Sequence, residues 1–492
     1  MTYIAAIDAG ASEVKACLFD TDGNEIASAS RDCPSDSPAA GWAQCSAEVL
    51  TRWPLEILKE TIDSSGVAVG EIKVIAVTGS RATVVPFGAD GQAVGPVIFW
   101  YDRRATDAAE QIKKEVGQDD FFNLTGVALD PTPSITKIMW WRDNHPEIFA
   151  AASVYALPQT AVAHALTGEG WYCDDSNGSY LGFMGLHSRS WEDALLEVAG
   201  VTADKLPQLV PPGTVAGPLS DAATTFTGLA ADTPVVISGS DNACFKLGAG
   251  VEGKGVACMY IGTAGVVGVI SEKPIVDRRL NCCPAALPDH WDVDALLLTA
   301  GAAYRWLRDL LNGAGQGEEL SFKTMDAMAA RIPPGSEGVV VVPHLAGAGS
   351  PLWDPDACGQ IVGLRLSHGA AHLVRATLEG VVFAQRHALD ALIEHVPDIN
   401  RLQLTGGGAS ELWSQILADA TGLPVSIPRS QQSTCLGAAM MAGVAAGVYS
   451  DHADAISSTT TTERHIEPDT SKKAIYDAAY QLYLNAVEPD HG

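Results

Sequence analysis

The chain has 492 residues, 59 of them acidic and 31 basic, for a net charge of −28. Hydrophobic residues make up 47% and charged residues 18%, a globular balance that excludes wholesale disorder and, at roughly 150 residues per domain, predicts two to four domains. A field of that sign repels nucleic acid and anionic membrane surfaces, so a phosphate ligand would need backbone N–H groups, a metal ion or a few placed cations.

From the N-terminus, residues 3–20 predict an apolar strand, a tight Asp8-Ala-Gly-Ala-Ser12 turn and a second strand. Thr21-Asp-Gly-Asn24 is a hairpin turn leading into a third strand at 25–30. Helical patterns over 47–64 and 104–116 flank strands at 72–77 and 83–87. Residues 146–165 read as one helix, and 234–238 as a buried strand by its β-branched run. Residues 257–270 repeat the strand–turn–strand plan around Gly262-Thr-Ala-Gly265, an echo that suggests two halves built alike. An amphipathic helix over 372–396 follows, then a strand at 402–404 running into Thr405-Gly-Gly-Gly-Ala-Ser410, and a helix over 411–421. The Ser/Thr-rich stretch 457–462 reads as a loop or mobile segment. A boundary near residue 245 divides the chain into 1–245 and 246–492.

The N-terminus lacks a basic region and meets a charge at Asp8, so it does not read as a signal peptide. The longest apolar stretches, 256–270 and 435–449, fall short of the roughly 18 residues a membrane span needs. A soluble, cytoplasmic protein is expected. The ten cysteines show no C-x-x-C pair and no zinc spacing, and Cys282-Cys283 is their one cluster; reduced thiols are expected.

Three small-residue turns follow apolar strands: Asp8-Ala-Gly-Ala-Ser12, Gly262-Thr-Ala-Gly265 and Gly406-Gly-Gly-Ala-Ser410. Small residues let a backbone approach a polyphosphate and aim N–H groups at it. Asp8, at the end of its strand, is either a turn-forming carboxylate or one that holds Mg²⁺ beside phosphates. Asp241 ends the run Pro234-Val-Val-Ile-Ser-Gly-Ser-Asp241, and is either a helix N-cap or a general base for a substrate hydroxyl. Trp100-Tyr-Asp-Arg-Arg104 joins a flat apolar face, a carboxylate and a guanidinium, which suits a polyol and equally suits a packed Trp beside a salt bridge. Arg81 is a weaker case of the same kind. Gly248-Ala-Gly-Val-Glu-Gly253 matches a dinucleotide fingerprint but follows a helix start instead of a strand, which argues against an oxidoreductase.

Taken in order, these segments resemble the FGGY carbohydrate kinases of the sugar kinase, heat-shock and actin-like ATPase superfamily. The likeness rests on the Asp8 and Gly262 turns, Trp100-Tyr-Asp-Arg-Arg104, the stretch 134–144, Leu166-Thr-Gly168, Gly239-Ser-Asp-Asn242, Glu379-Gly380 and the stretch 405–419. It implies an α/β fold of two ribonuclease-H-like domains with a catalytic cleft between them, and ATP and Mg²⁺ as cofactors. By position Asp241 would be the general base, and Asp8 with Asp241 would organise the metal. Gly10, Ala11, Ser12, Gly262, Thr263, Gly407, Gly408 and Ala409 would contact ATP, while Arg81, Trp100, Asp102, Asp241 and Asn242 would face the sugar. Ala11 replaces the usual Thr, the segment Thr78-Gly-Ser-Arg-Ala-Thr83 departs from the xylulokinase pattern, and Ala82 stands where glycerol kinases carry Glu. The expected activity is phosphorylation of a small sugar, a ketopentose such as xylulose, with glycerol, erythritol, a hexulose or gluconate as alternatives. An actin-like nucleotide switch or pseudokinase is the alternative of another class. A homodimer is left open.

Overall fold

The computed structural model describes residues 1–253, 255–313, 320–407 and 410–488. Its framework is two mixed sheets of one topology. In the first, Tyr3–Ala9, Glu13–Asp20 and Glu25–Asp32 form an antiparallel meander. Ile72–Gly79 and then Pro234–Ile237 add to it in parallel, and Thr214–Pro218 closes the edge antiparallel. In the second, Val256–Ile261, Gly265–Ser271 and Trp291–Leu297 form the meander. Arg401–Thr405 and Val425–Pro428 add in parallel, Thr462–Ile466 closes the edge antiparallel, and Asn281–Pro284 extends the far side of the meander. The echo between residues 3–20 and 257–270 is therefore a duplicated ribonuclease-H-like plan.

Strand periodicity builds three layers of core. Tyr3, Ala5, Ile7 and Ala9 face an outer core, while Ile4 and Ala6 face inward. In the second sheet Ala257, Met259 and Ile261 face the other outer core, beneath the helix Ala370–Ile393, while Val256 and Cys258 face inward. The inner layer holds the helices Asp241–Gly248 and Ser433–Ala445, which both sheets bury. These helices cross where each presents a glycine. A Cβ on Gly437 would lie 1.8 Å from the Cys244 carbonyl oxygen, and one on Gly248 would lie 1.9 Å from that of Ser433. Only hydrogen fits at either point.

Two expectations are corrected. Residues 146–165 are not one helix: Pro146–Ala151 and Pro158–Thr167 are separated by the strand Val154–Ala156, which pairs with Val85–Phe87. Pro158 accounts for the break, since the residue before a proline is driven out of helical geometry, and Leu157 is extended. The Ser/Thr-rich stretch 457–462 is ordered. It ends the helix His452–Thr459, whose cap is the Asp451 side chain, and enters the strand Thr462–Ile466. The Thr459 and Thr460 hydroxyls are spent on carbonyls four residues back, each at 2.7 Å. The boundary at 245 falls inside the helix Asp241–Gly248, and the second sheet begins at Val256. All ten cysteines are free. Among the described residues no helix is long and apolar enough to cross a membrane.

Candidate active site

Asp241 is positioned by the loop before it. Thr78 Oγ1 and Gln159 Nε2 both donate to the Gly239 carbonyl, at 2.7 and 2.9 Å, and Gln159 also reaches the Val77 carbonyl at 3.0 Å. Asn177 donates to Gln159 Oε1 at 3.1 Å, and the Ser240 N–H donates to Ser176 Oγ at 2.9 Å. The helix cap is Ser240, whose Oγ accepts from the Ala243 N–H at 3.3 Å. Asp241 is therefore relieved of capping and sits in the first turn, its Oδ1 accepting from the Asn242 N–H at 2.7 Å. Burial pushes its pKa above the usual carboxylate range, and Arg81 and the Asn242 N–H pull it back.

Asp8 ends the first strand beside it. Burial and then the charge of Asp241 raise the Asp8 pKa to about 7, with Lys15 opposing. Asp8 Oδ1 is buried without a hydrogen-bond partner. Asp8 and Lys15 line a cleft of about 280 Å³ with Phe245, Tyr260, Gly406 and Gly407. Further along, the cleft is bounded by residues 430–435, which lead into the inner helix Ser433–Ala445. The second small-residue turn reaches this region from the other sheet. The Ala300 and Ala302 N–H groups donate to the Thr263 carbonyl at 3.0 and 3.1 Å, and the Gly301 N–H to that of Gly262 at 2.8 Å. Gly406 has φ +94°, and a Cβ there would lie 2.5 Å from the Ile261 carbonyl oxygen, so this turn too requires glycine. Gly408 and Ala409 lie outside the described residues.

On the other side of Asp241, Arg81 crosses from the first half to the second. Its Nη2 lies 3.3 Å from Asp294 Oδ2, its Nη1 3.3 Å from Cys283 Sγ, and its guanidinium 4.2 Å from the centre of the Tyr180 ring. Asn242 Nδ2 donates to the same Asp294 oxygen at 2.8 Å. Lys246, one turn further along the helix, donates to Asn242 Oδ1 at 2.9 Å and pairs with Asp292 and Asp294. Burial works against the Lys246 charge, but the two aspartates outweigh it and hold its pKa above the usual lysine range. Ala82, Val127, Tyr180 and Cys283 form an apolar wall beside these groups, with Trp100 packed against it. The halves are joined here by the Cys282 N–H, which donates to the Gly126 carbonyl at 2.9 Å.

The structure thus brings Asp8, Arg81, Asp241 and Asn242 together. The carboxylate of Asp102 is already occupied: the residue is fully buried, with Arg104 donating to it at 2.8–3.0 Å and the Ala43 N–H on its second oxygen. Glu379 is likewise scaffold, held by Arg375 at 2.7 Å, Ser336 at 2.8 Å and the Gly335 N–H at 3.0 Å. Sequence reasoning passed over Lys15, Lys246, Asp292 and Asp294. Strand alternation carried a signal for Lys15, which shares the inward face of Cys17. Lys246 follows Asn242 by four residues on one helix face, and Asp292 and Asp294 share one face of an otherwise apolar strand.

Comparison with known proteins identifies the family of the chain. The model of the FGGY family of carbohydrate kinases, N-terminal domain, matches residues 3–248, and that of the C-terminal domain matches residues 257–446. A gluconokinase of Bacillus subtilis (strain 168) is 30% identical over 98% of this chain and 95% of its own length. A glycerol kinase of Delftia acidovorans is 30% identical over 96% of each. The crystal structure of a xylulose kinase from Rhodospirillum rubrum superposes with a TM-score of 0.89 at 29% identity, covering 99% of this chain and 98% of that one.

Proposed function

Because the chain belongs to the FGGY family of carbohydrate kinases, and so to the ATP-dependent sugar and polyol kinases, we propose that it phosphorylates a small ketose or polyol, a ketopentose such as xylulose, with Asp241 as general base. The observation that carries this reading is Asp241 itself, freed from capping by Ser240 and standing between the Asp8 cleft and the Arg81 side.

The chemistry follows from what each group offers. Ionised Asp241 accepts the proton of an acceptor hydroxyl as that oxygen attacks the γ-phosphorus in line. Arg81 and Asn242 orient the acceptor by hydrogen bonds, and Trp100 with the Ala82 and Tyr180 wall supplies an apolar face for its carbons. In this reading the turn Gly10-Ala-Ser12 and the turn at Gly262 and Thr263 border the phosphates, Lys15 adds a positive charge from the wall of the cleft, and Gly407 borders the adenosine. Asp102 works indirectly, by fixing the segment that carries Trp100.

The unpartnered Asp8 Oδ1 fits Mg²⁺, a hard cation that takes one or two protein carboxylates and keeps phosphate and water oxygens for its other positions. Asp8 and Asp241 would hold it, and bound there it would neutralise charge on the phosphates. Among the described residues no set of three His, Cys, Asp or Glu side chains forms a fuller metal cage.

The test is a coupled ADP-release screen over pentuloses, hexuloses, polyols and aldonates. Acceptor-dependent ADP release, strongest with a pentulose, is the expected result. ADP release at one slow rate whatever the acceptor would instead favour a nucleotide switch.

A further inference from the structure

Asp294 is buried at the junction of the two halves, yet it comes from the half opposite Arg81 and its carboxylate is shared by three donors. One oxygen accepts from Arg81 at 3.3 Å and from Asn242 at 2.8 Å, and the other pairs with Lys246. Arg81 would otherwise be a ready receptor for a carboxylate. Its guanidinium is planar, permanently charged, stacked on Tyr180 and only 13% exposed, the setting in which arginine binds carboxylates in a two-pronged manner. Asp294 already occupies that role. With one N–H on Asp294 and one on Cys283, Arg81 keeps three of its five donors for neutral oxygens but no uncompensated charge.

The surrounding charges point the same way. Asp241, Asp292 and Asp294 set three carboxylates against the two cations Arg81 and Lys246, and Asp8 adds a fourth acid. Lys246 is fully buried between Asp292 and Asp294, so its charge is spent inside the cluster. An acceptor bearing its own carboxylate would meet a negative excess in a poorly solvated site, where Arg81 and Lys246 are already paired and Lys15, on the Asp8 side, is tied to Glu13.

We propose that Asp294 sets the charge class of the acceptor. By neutralising Arg81 across the interface it makes the site select uncharged ketoses and polyols and reject aldonates. This deepens the kinase reading given above and rests on it.

The test compares the wild type with Asp294→Asn and with the double variant Asp294→Asn/Arg81→Gln. Two readouts are taken: ADP release with D-xylulose and with D-gluconate, and calorimetric binding of D-gluconate and of xylitol. The wild type should favour the neutral acceptor by about 100-fold or more in kcat/KM. Asp294→Asn should narrow that ratio at least tenfold through a gain on gluconate, and the double variant should lose the gain, because Arg81 is what receives the carboxylate. A merely structural role for Asp294 would depress both acceptors together.

Equal or better use of gluconate by the wild type overturns the proposal. So does an Asp294→Asn protein that melts normally and binds ATP yet leaves the ratio unmoved. If Asp294→Asn does not fold, the wild-type preference alone decides. If no acceptor releases ADP, the kinase reading falls, while the binding preference between xylitol and gluconate still judges this inference; binding of neither overturns both.

Discussion

The negative charge of Asp241 adds to burial in lifting the pKa of Asp8 to about 7. Two carboxylates on neighbouring elements therefore resist ionising together, and Lys15 only partly relieves them. The proposed divalent cation would offset this repulsion if bound between them.

The first prediction concerns pH and stability. The folded pKa of Asp8 lies above its ordinary value of 3.8, so the folded protein holds a proton that the unfolded chain releases. That contribution is fully present below about pH 4 and is lost as the pH rises through about 7. Without Mg²⁺, the urea midpoint should fall between pH 5 and pH 8, and fall less in Asp8→Asn. At pH 8, added Mg²⁺ should raise the midpoint of the wild type and leave that of Asp8→Asn in place. Identical pH profiles for the two proteins would remove Asp8 from this account.

Asp241→Asn keeps the shape of the side chain and removes the base. A kcat lower by about 10²- to 10⁴-fold is expected, with ATP affinity near that of the wild type. Because the pKa of Asp241 is raised, the acid limb of the wild-type rate profile should have its midpoint above pH 3.8 and vanish in the variant. Retention of wild-type turnover would exclude Asp241 as the base.

Lys15 lines the cleft beside Asp8, tied to Glu13 at 2.9 Å and to Gln432 at 3.2 Å. A charged hydrogen bond contributes about 1.5–3 kcal/mol, so Lys15→Met should raise the KM for ATP by about 10- to 100-fold. The KM for the acceptor should change little. Equal effects on both constants would mean that Lys15 acts through the fold and not through phosphate.

Gly437→Ala is the stability test of the inner layer. The added methyl would lie 1.8 Å from a backbone oxygen, which cannot swing away as a side-chain tip could. Overpacking of this kind costs about 1–3 kcal/mol or more, to be read as a lower melting temperature. An unchanged melting temperature would mean that the two helices are free to separate.

Much of the fold was legible because it is written in period-two alternation and small-residue turns. The first meander and the strand–turn–strand at 257–270 are readable on those grounds, the strand at 234–238 from its β-branched run and the long helix near 372–396 from its helical spacing, whereas the strand Trp291–Leu297 that completes the second meander was missed. The division of 146–165 was missed because a proline favours helix starts as well as helix breaks, and the cap at Asp451 was hidden by low-complexity composition. Within the site, Asp8 and Asp241 were legible as carboxylates at the ends of apolar strands, each beside a small-residue turn. Lys246, Asp292 and Asp294 were not, because their meaning depends on contacts across 46 to 48 positions, between an inner helix and the second sheet. Asp102 shows the reverse. Its motif context suggested a ligand, while its own neighbour Arg104 claims the carboxylate.

The glycine pair at Gly248 and Gly437 has a mechanical consequence. Two helices seated this deeply in one another act as a single axle, and both halves of the molecule are mounted on it. Neither half can slide past the other without tearing that seat. Asp241 stands at the first turn of one of these two helices, so the footing of the carboxylate is set by the deepest-packed element of the molecule.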